Sequence, residues 1–126
     1  MVDALTHIHA ALVPGGTLVD TQPVGSRWPV GLGGESIGEL GTDEWLQTIA
    51  AVDGELEKTL AAGLFELRRE ETYVVVHEFG SGAECLEEVA TWAGTVVPVE
   101  IAARLEPGSA RATVEHEVRL RLYRRR

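Results

Sequence analysis

At 126 residues, 44% hydrophobic and 25% charged, the chain has the length and composition of one globular domain that buries about two-thirds of its unfolded surface. The formal charge of −9 argues against general nucleic-acid binding, since phosphate contacts need cationic surface. There is no apolar run near the roughly 20 residues that span a bilayer and no basic segment leading into an apolar core; with the single Cys85, these features point to a cytoplasmic protein without membrane contact or an internal disulfide.

Residues 3–13 place Leu5, Ile8, Ala11 and Leu12 on one helical face, and Pro14-Gly15-Gly16 stops that helix. Thr17 to Pro23 reads as a strand with Leu18 and Val19 on opposite faces, a pattern of a buried position in a sheet. The glycine-rich segment 28–40 resembles a phosphate-cradling loop only superficially. Pro29 precedes the glycines and the next convincing helix waits until after Thr42, so a hairpin turning at Gly33-Gly34 is expected.

Thr42 is placed as an N-cap, with Asp43 and Glu44 in the first turn. Trp45, Ile49, Val52, Leu56 and Leu60 then form one stripe on a helix of about 20 residues that closes at Gly63. Tyr73 to Phe79 is β-branched and aromatic on both faces, the pattern of a central strand. Ser81 and Glu84 form a capping box ahead of a helix that buries Cys85, Leu86, Val89 and Trp92, and Pro98 opens a further short helix to about Leu105. The last run alternates. Val114, His116, Val118, Leu120 and Leu122 face one way, and Glu115, Glu117, Arg119, Arg121 and Tyr123 the other.

This order of elements resembles the C-terminal half of a class I, Rossmann-like S-adenosylmethionine-dependent methyltransferase. The residues that carry the resemblance are Leu12, Pro14, Gly15 and Gly16 followed by Thr17-Leu-Val-Asp20, which look like the turn entering the family's fifth strand. Residues 65–79 and 112–124 look like the sixth strand and the antiparallel seventh that slots between five and six. The resemblance implies a single α/β domain over residues 1–126, a mixed sheet in the order five, seven, six with helices on its faces.

The family binds S-adenosylmethionine through a glycine-rich turn after the first strand and an acid ending the second. This sequence starts beyond both, and no cofactor-binding or catalytic residue carries over. The expected protein is therefore a methyltransferase-like domain without the cofactor half, non-catalytic alone, which acts by self-association or by binding a partner or small ligand. The alternative is one part of a split or truncated methyltransferase that contributes the substrate side, with S-adenosylmethionine bound only when the N-terminal half is supplied. In related enzymes the region after the fifth strand can line the substrate pocket, which implies Asp20, Gln22, Arg27 and Trp28 as substrate contacts.

Without a fourth strand, Thr17–Pro23 becomes a sheet edge with no lysine or arginine to guard it. Pairing with the same strand of a second copy would close it, which predicts a homodimer; a separate chain carrying the N-terminal half is the rival partner.

The remaining polar groups read mostly as structural. His7 and His9 lie two apart on a helix and point away from each other, so they cannot share an ion. His77 and His116 share the inward faces of two paired strands and can meet, as a satisfied pair rather than a metal site. Cys85 is expected to be a buried, inert thiol, and Glu70-Glu71 and Glu87-Glu88 solvated surface. The five arginines among the last eight residues read as a solvated strand face ending in a frayed terminus.

Overall fold

The computed structural model describes residues 2–126, with side chains from Ala4 onward. Its elements are α1 (Val2–Ala11), β1 (Thr17–Val24), β2 (Pro29–Leu32), β3 (Glu35–Glu39), α2 (Asp43–Ala61), β4 (Phe65–Phe79), α3 (Gly82–Val89), α4 (Val99–Leu105) and β5 (Ala112–Arg125). Among the described residues no helix is long and apolar enough to cross a membrane.

The long terminal strand β5 organises the molecule. One of its edges pairs with β4 along nearly its whole length, from Phe65↔Arg125 to Phe79↔Ala112. Its other edge is shared end to end by β1, opposite Glu117 to Arg124, and β2, opposite Ala112 to Val114. Residues 25–28 bulge out between those two segments. β3 extends the sheet beyond β2 through the expected hairpin, in which Gly33 and Gly34 take φ of +60° and +87°, as a type I′ turn requires.

All four ladders are antiparallel, which corrects the expectation of a mixed sheet. The reason is that β1 and β4, which run in the same direction, never touch; β5 lies between them. Two further readings of strand position are corrected. β4 is an edge strand rather than a central one, with Tyr73, Val74 and Val76 46%, 61% and 47% exposed. β1 also pairs on one side only and leaves Val19 55% exposed, so apolar residues on both of its faces do not signal burial.

Helices cover the two faces of β5 at opposite ends. On the face of Arg119, Arg121 and Tyr123, α1 and α2 close over Leu5, Leu18, Leu56, Phe65 and Tyr123. On the face of Val114 and His116, α3 and α4 enclose Val30, Cys85, Val89, Ile101 and Leu105. The α2 stripe serves both cores, since Trp45 packs with the second cluster while Val52 and Leu60 pack with the first. In α1 the stripe is narrower than its spacing suggested: Leu5 is buried but Ile8 is exposed.

The capping box forms with a shift. Ser81 Oγ accepts from Glu84 N at 3.1 Å, while Glu84 Oε2 accepts from the N–H of Gly80, one residue before the cap. Thr42 stands at the N-cap of α2 without a side-chain capping bond. Pro98 sits at the N-cap of α4 rather than inside its first turn.

The C-terminal arginines are neither solvated nor frayed as a group. Arg119 is 8% exposed and grips Asp53 of α2 through two bonds of 3.0 and 2.6 Å. Arg121 lies between Asp53 at 3.5 Å and Glu70 at 3.3 Å. Backbone bonds from Arg125 N to Gly16 O and from Arg126 N to Leu64 O hold the last residues down. The alternating strand faces α2 here, so its charged side is covered by a helix that carries the matching acid.

Candidate functional site

At the α3 end of the sheet the helical cover is incomplete, and an open cleft of about 1090 Å³ lies between the sheet face and α3. Its floor is the face of β5 and β4 that carries His116, Val118, Val75 and His77, together with Pro23 at the end of β1. All three tryptophans of the chain line it: Trp28 from the bulge between β1 and β2, Trp45 from the first turn of α2, and Trp92 just beyond α3.

Backbone contacts set these rings in place. Trp28 is 3% exposed and its indole N–H donates to Gly25 O at 3.1 Å, while that of Trp45 donates to Pro23 O at 2.9 Å. The segment after α3 is clipped to the start of α2 by a two-way bridge between Gly41 and Val96 (2.7 and 2.8 Å) and by Trp45 N donating to Gly94 O at 3.1 Å. Gly94 has φ +74°, and a Cβ there would lie 2.9 Å from the backbone of Trp45, so only glycine lets Trp92 and Trp45 approach in this way.

His77 and His116 meet as expected. Because Val75 pairs with His116 and His77 with Val114, the two rings are diagonal neighbours on one face, and their Nε2 atoms lie 2.8 Å apart. Trp28 stacks on His116 at 4.6 Å between ring centroids, and Trp92 lies against His77 at 5.0 Å. Burial pushes the His116 imidazole below its ordinary pKa; a weak bond to Glu117 O opposes that shift and the neighbouring His77 adds to it.

A separation of 2.8 Å leaves room for one proton between the rings, so at least one imidazole must offer a lone pair. The contact from His116 Nδ1 to Glu117 O, at 3.4 Å, fits a tautomer in which His116 Nε2 is the acceptor and His77 Nε2–H the donor. Two nitrogens on one tetrahedral zinc ion would stand about 3.4 Å apart, given Zn–N bonds of about 2.1 Å. The rings are closer than that, and no group of three or more metal-type donors gathers among the described residues.

The rim is acidic. Glu78, Glu84, Glu87 and Glu88 line the cleft and no lysine or arginine does. Glu87-Glu88 is thus exposed, as its sequence suggested, yet it borders the tryptophan-lined cleft.

The four residues implied as substrate contacts separate. Asp20 and Gln22 lie together, joined by a 3.0 Å bond from Gln22 Nε2 to Asp20 Oδ1, on the face of β1 beneath α2. Arg27 is exposed and pairs with Glu39 at 2.7 Å. Trp28 alone reaches the cleft. Sequence reasoning missed Trp45 and Trp92, because each extends an apolar helical stripe and so reads as core. Their position at the end of the stripe, where burial runs out, is the signal that was available.

Elsewhere, His9 Nε2 contacts Arg126 O at 3.1 Å and its ring meets Phe65 edge-on, while His7 is exposed. Cys85 is fully buried and burial pushes its thiol up to about 11, the condition of an unreactive cysteine. Glu70 and Glu71 are exposed and each is paired with an arginine. Comparisons with protein-family models, with curated proteins and with solved structures found no match for this chain.

Proposed function

We propose that residues 1–126 form a methyltransferase-like unit that works by binding rather than by chemistry of its own, taking a small organic ligand in the tryptophan–histidine cleft. The observation that carries this reading is the convergence of every tryptophan in the chain on one open concavity, above a histidine pair in which burial lowers the pKa of His116. Aromatic rings held by backbone bonds offer a rigid apolar surface that loses little entropy when a ligand settles on it.

The strand order supports the methyltransferase likeness: β1, β5 and β4 are adjacent in that sequence, with β5 antiparallel to both, as strands five, seven and six are in that family. The reading assigns no S-adenosylmethionine contact to these residues, since the glycines of residues 31–38 belong to a hairpin. It places the chain in the cytoplasm and pairs it with a second copy through β1, whose outer edge has no strand partner among the described residues.

The second reading, a substrate-side part of a split or truncated methyltransferase, is favoured by one observation. Pro23, at the carboxyl end of β1, forms part of the cleft, and open α/β sheets bind ligands at the carboxyl ends of their strands. Under that reading a separate glycine-rich chain co-purifies with this one and confers S-adenosylmethionine binding.

Tryptophan fluorescence titrated with 2-naphthol, a neutral aromatic probe, tests the binding reading. Saturable quenching that Trp92→Ala removes is expected, together with silent calorimetry against S-adenosylmethionine and a dimer in light scattering. Linear, non-saturating quenching identical in the wild type and Trp92→Ala overturns the cleft as a ligand site, and a monomer at micromolar concentration overturns the β1 pairing.

A further inference from the structure

Resting on the reading of the cleft as a ligand site, we propose that its ligand is an organic cation of the quaternary-ammonium class. Two features of the walls point the same way. The first is π-surface: Trp45 and Trp92 are half-buried, so each keeps part of its ring in the cleft, and the negative face of an indole attracts a cation without a strongly hydrated charge.

The second is charge. Glu87 and Glu88 stand on the cleft wall without an ion-pair partner among the described residues, and no lysine or arginine lines the cleft. Elsewhere on the surface both situations occur: Glu39, Glu55, Glu66 and Glu71 each have an arginine or lysine within 3.4 Å, whereas Glu35, Glu44, Glu57, Glu100 and Glu115 have no ion-pair partner among the described residues. What sets the cleft apart is that its unpaired carboxylates stand beside tryptophan rings with no lysine or arginine among the lining residues.

An anionic ligand would meet repulsion from every charged group on these walls. A neutral one would gain nothing from the carboxylates. A bulky cation gains from both, because its methyl groups pack on the indoles while its diffuse charge lies in the field of the glutamates. A primary ammonium fits less well, since shedding its tight hydration shell costs more than desolvating a quaternary group.

His116 sets a limit on this binding. Protonation of His116 would place a positive charge on the cleft floor, and since burial lowers its pKa, cation affinity weakens only as pH falls below the ordinary imidazole value. The groups lining the cleft around the pair are the α3 carboxylates Glu84, Glu87 and Glu88 and the rings Trp28 and Trp92, while Glu78, next to His77 in β4, projects to the opposite face of the sheet.

The test compares choline with 3,3-dimethyl-1-butanol, its uncharged isostere, by calorimetry on the full chain. Choline is expected to bind at least about tenfold tighter, and the exposed double variant Glu87→Gln, Glu88→Gln to lose several-fold of that affinity without change in thermal stability. Equal affinity for the two probes overturns the cation assignment and leaves the cleft as a ligand site. If choline fails to bind while 2-naphthol binds, the cation inference falls and the cleft stands; failure of both probes ends both readings.

Discussion

The two faces of β5 handle charge in opposite ways. Beneath α2, Arg119 and Arg121 are drawn into the fold and met by Asp53 and Glu70, so that face is closed. On the other face, at the α3 end, three glutamates of α3 and three tryptophans border an open cleft whose lining has no lysine or arginine. Charge that is matched internally is structural; charge left unmatched around half-buried aromatic rings is not used by the fold. The difference lies in the register of one alternating strand, which sends arginines to one side and His116 to the other.

The largest effect is expected where the matching is removed. Asp53→Ala leaves Arg119, 8% exposed, without its bidentate partner and should cost about 3 kcal/mol of stability in urea denaturation. The Glu87→Gln, Glu88→Gln variant should change stability by less than about 0.5 kcal/mol, since both residues are exposed. Equal costs at the two sites would erase the contrast between the faces. Next in size, Gly94→Ala forces a side chain into a φ of +74° and against Trp45, a cost of about 1–3 kcal/mol with a shift in tryptophan emission.

A smaller effect comes from pH. Burial lowers the His116 pKa in the folded state, so the unfolded chain binds the proton more readily. The stability this contributes is present above the unfolded value of about 6.5 and is lost as pH falls through the folded one. Chemical denaturation across pH 5–8 should therefore show a declining acid limb that His116→Gln flattens. A limb unchanged in that variant would assign it to other groups. The smallest effect belongs to Arg27, whose pair with Glu39 is largely exposed: Arg27→Ala should alter stability by less than about 0.5 kcal/mol and leave choline affinity as it was. A loss of affinity would return Arg27 to the binding surface.

Much of the fold was legible because local chemistry and tertiary structure agree. The glycine pair at 33–34 made its hairpin, Ser81 capped α3, and the alternation from Val114 to Leu122 identified a strand with two distinct faces. The meeting of His77 and His116 was legible too, once β4 and β5 were taken as neighbours. Edge and centre were not. Tyr73 to Phe79 is as apolar as a buried strand, yet β4 lies at the rim of the sheet, because hydrophobicity records what a strand could bury and not which strands arrive beside it. The arginine-rich end misled in the opposite direction: the acid that covers it, Asp53, lies 66 residues away from Arg119 in the chain. The cleft was hidden for the same reason, since Trp28, Trp45 and Trp92 come from three separate segments that only the bridge between Gly41 and Val96 and the bulge at 25–28 bring together.

The contrast between the faces can be read in one experiment: nitrogen–proton NMR spectra of the full chain during a choline titration, following the indole N–H signals of the three tryptophans and the Nε–H signals of Arg119 and Arg121. The tryptophan signals should shift and saturate together while the arginine signals stay in place. Shifts at the arginines, or indole signals that never move, would contradict the assignment of one face to structure and the other to binding.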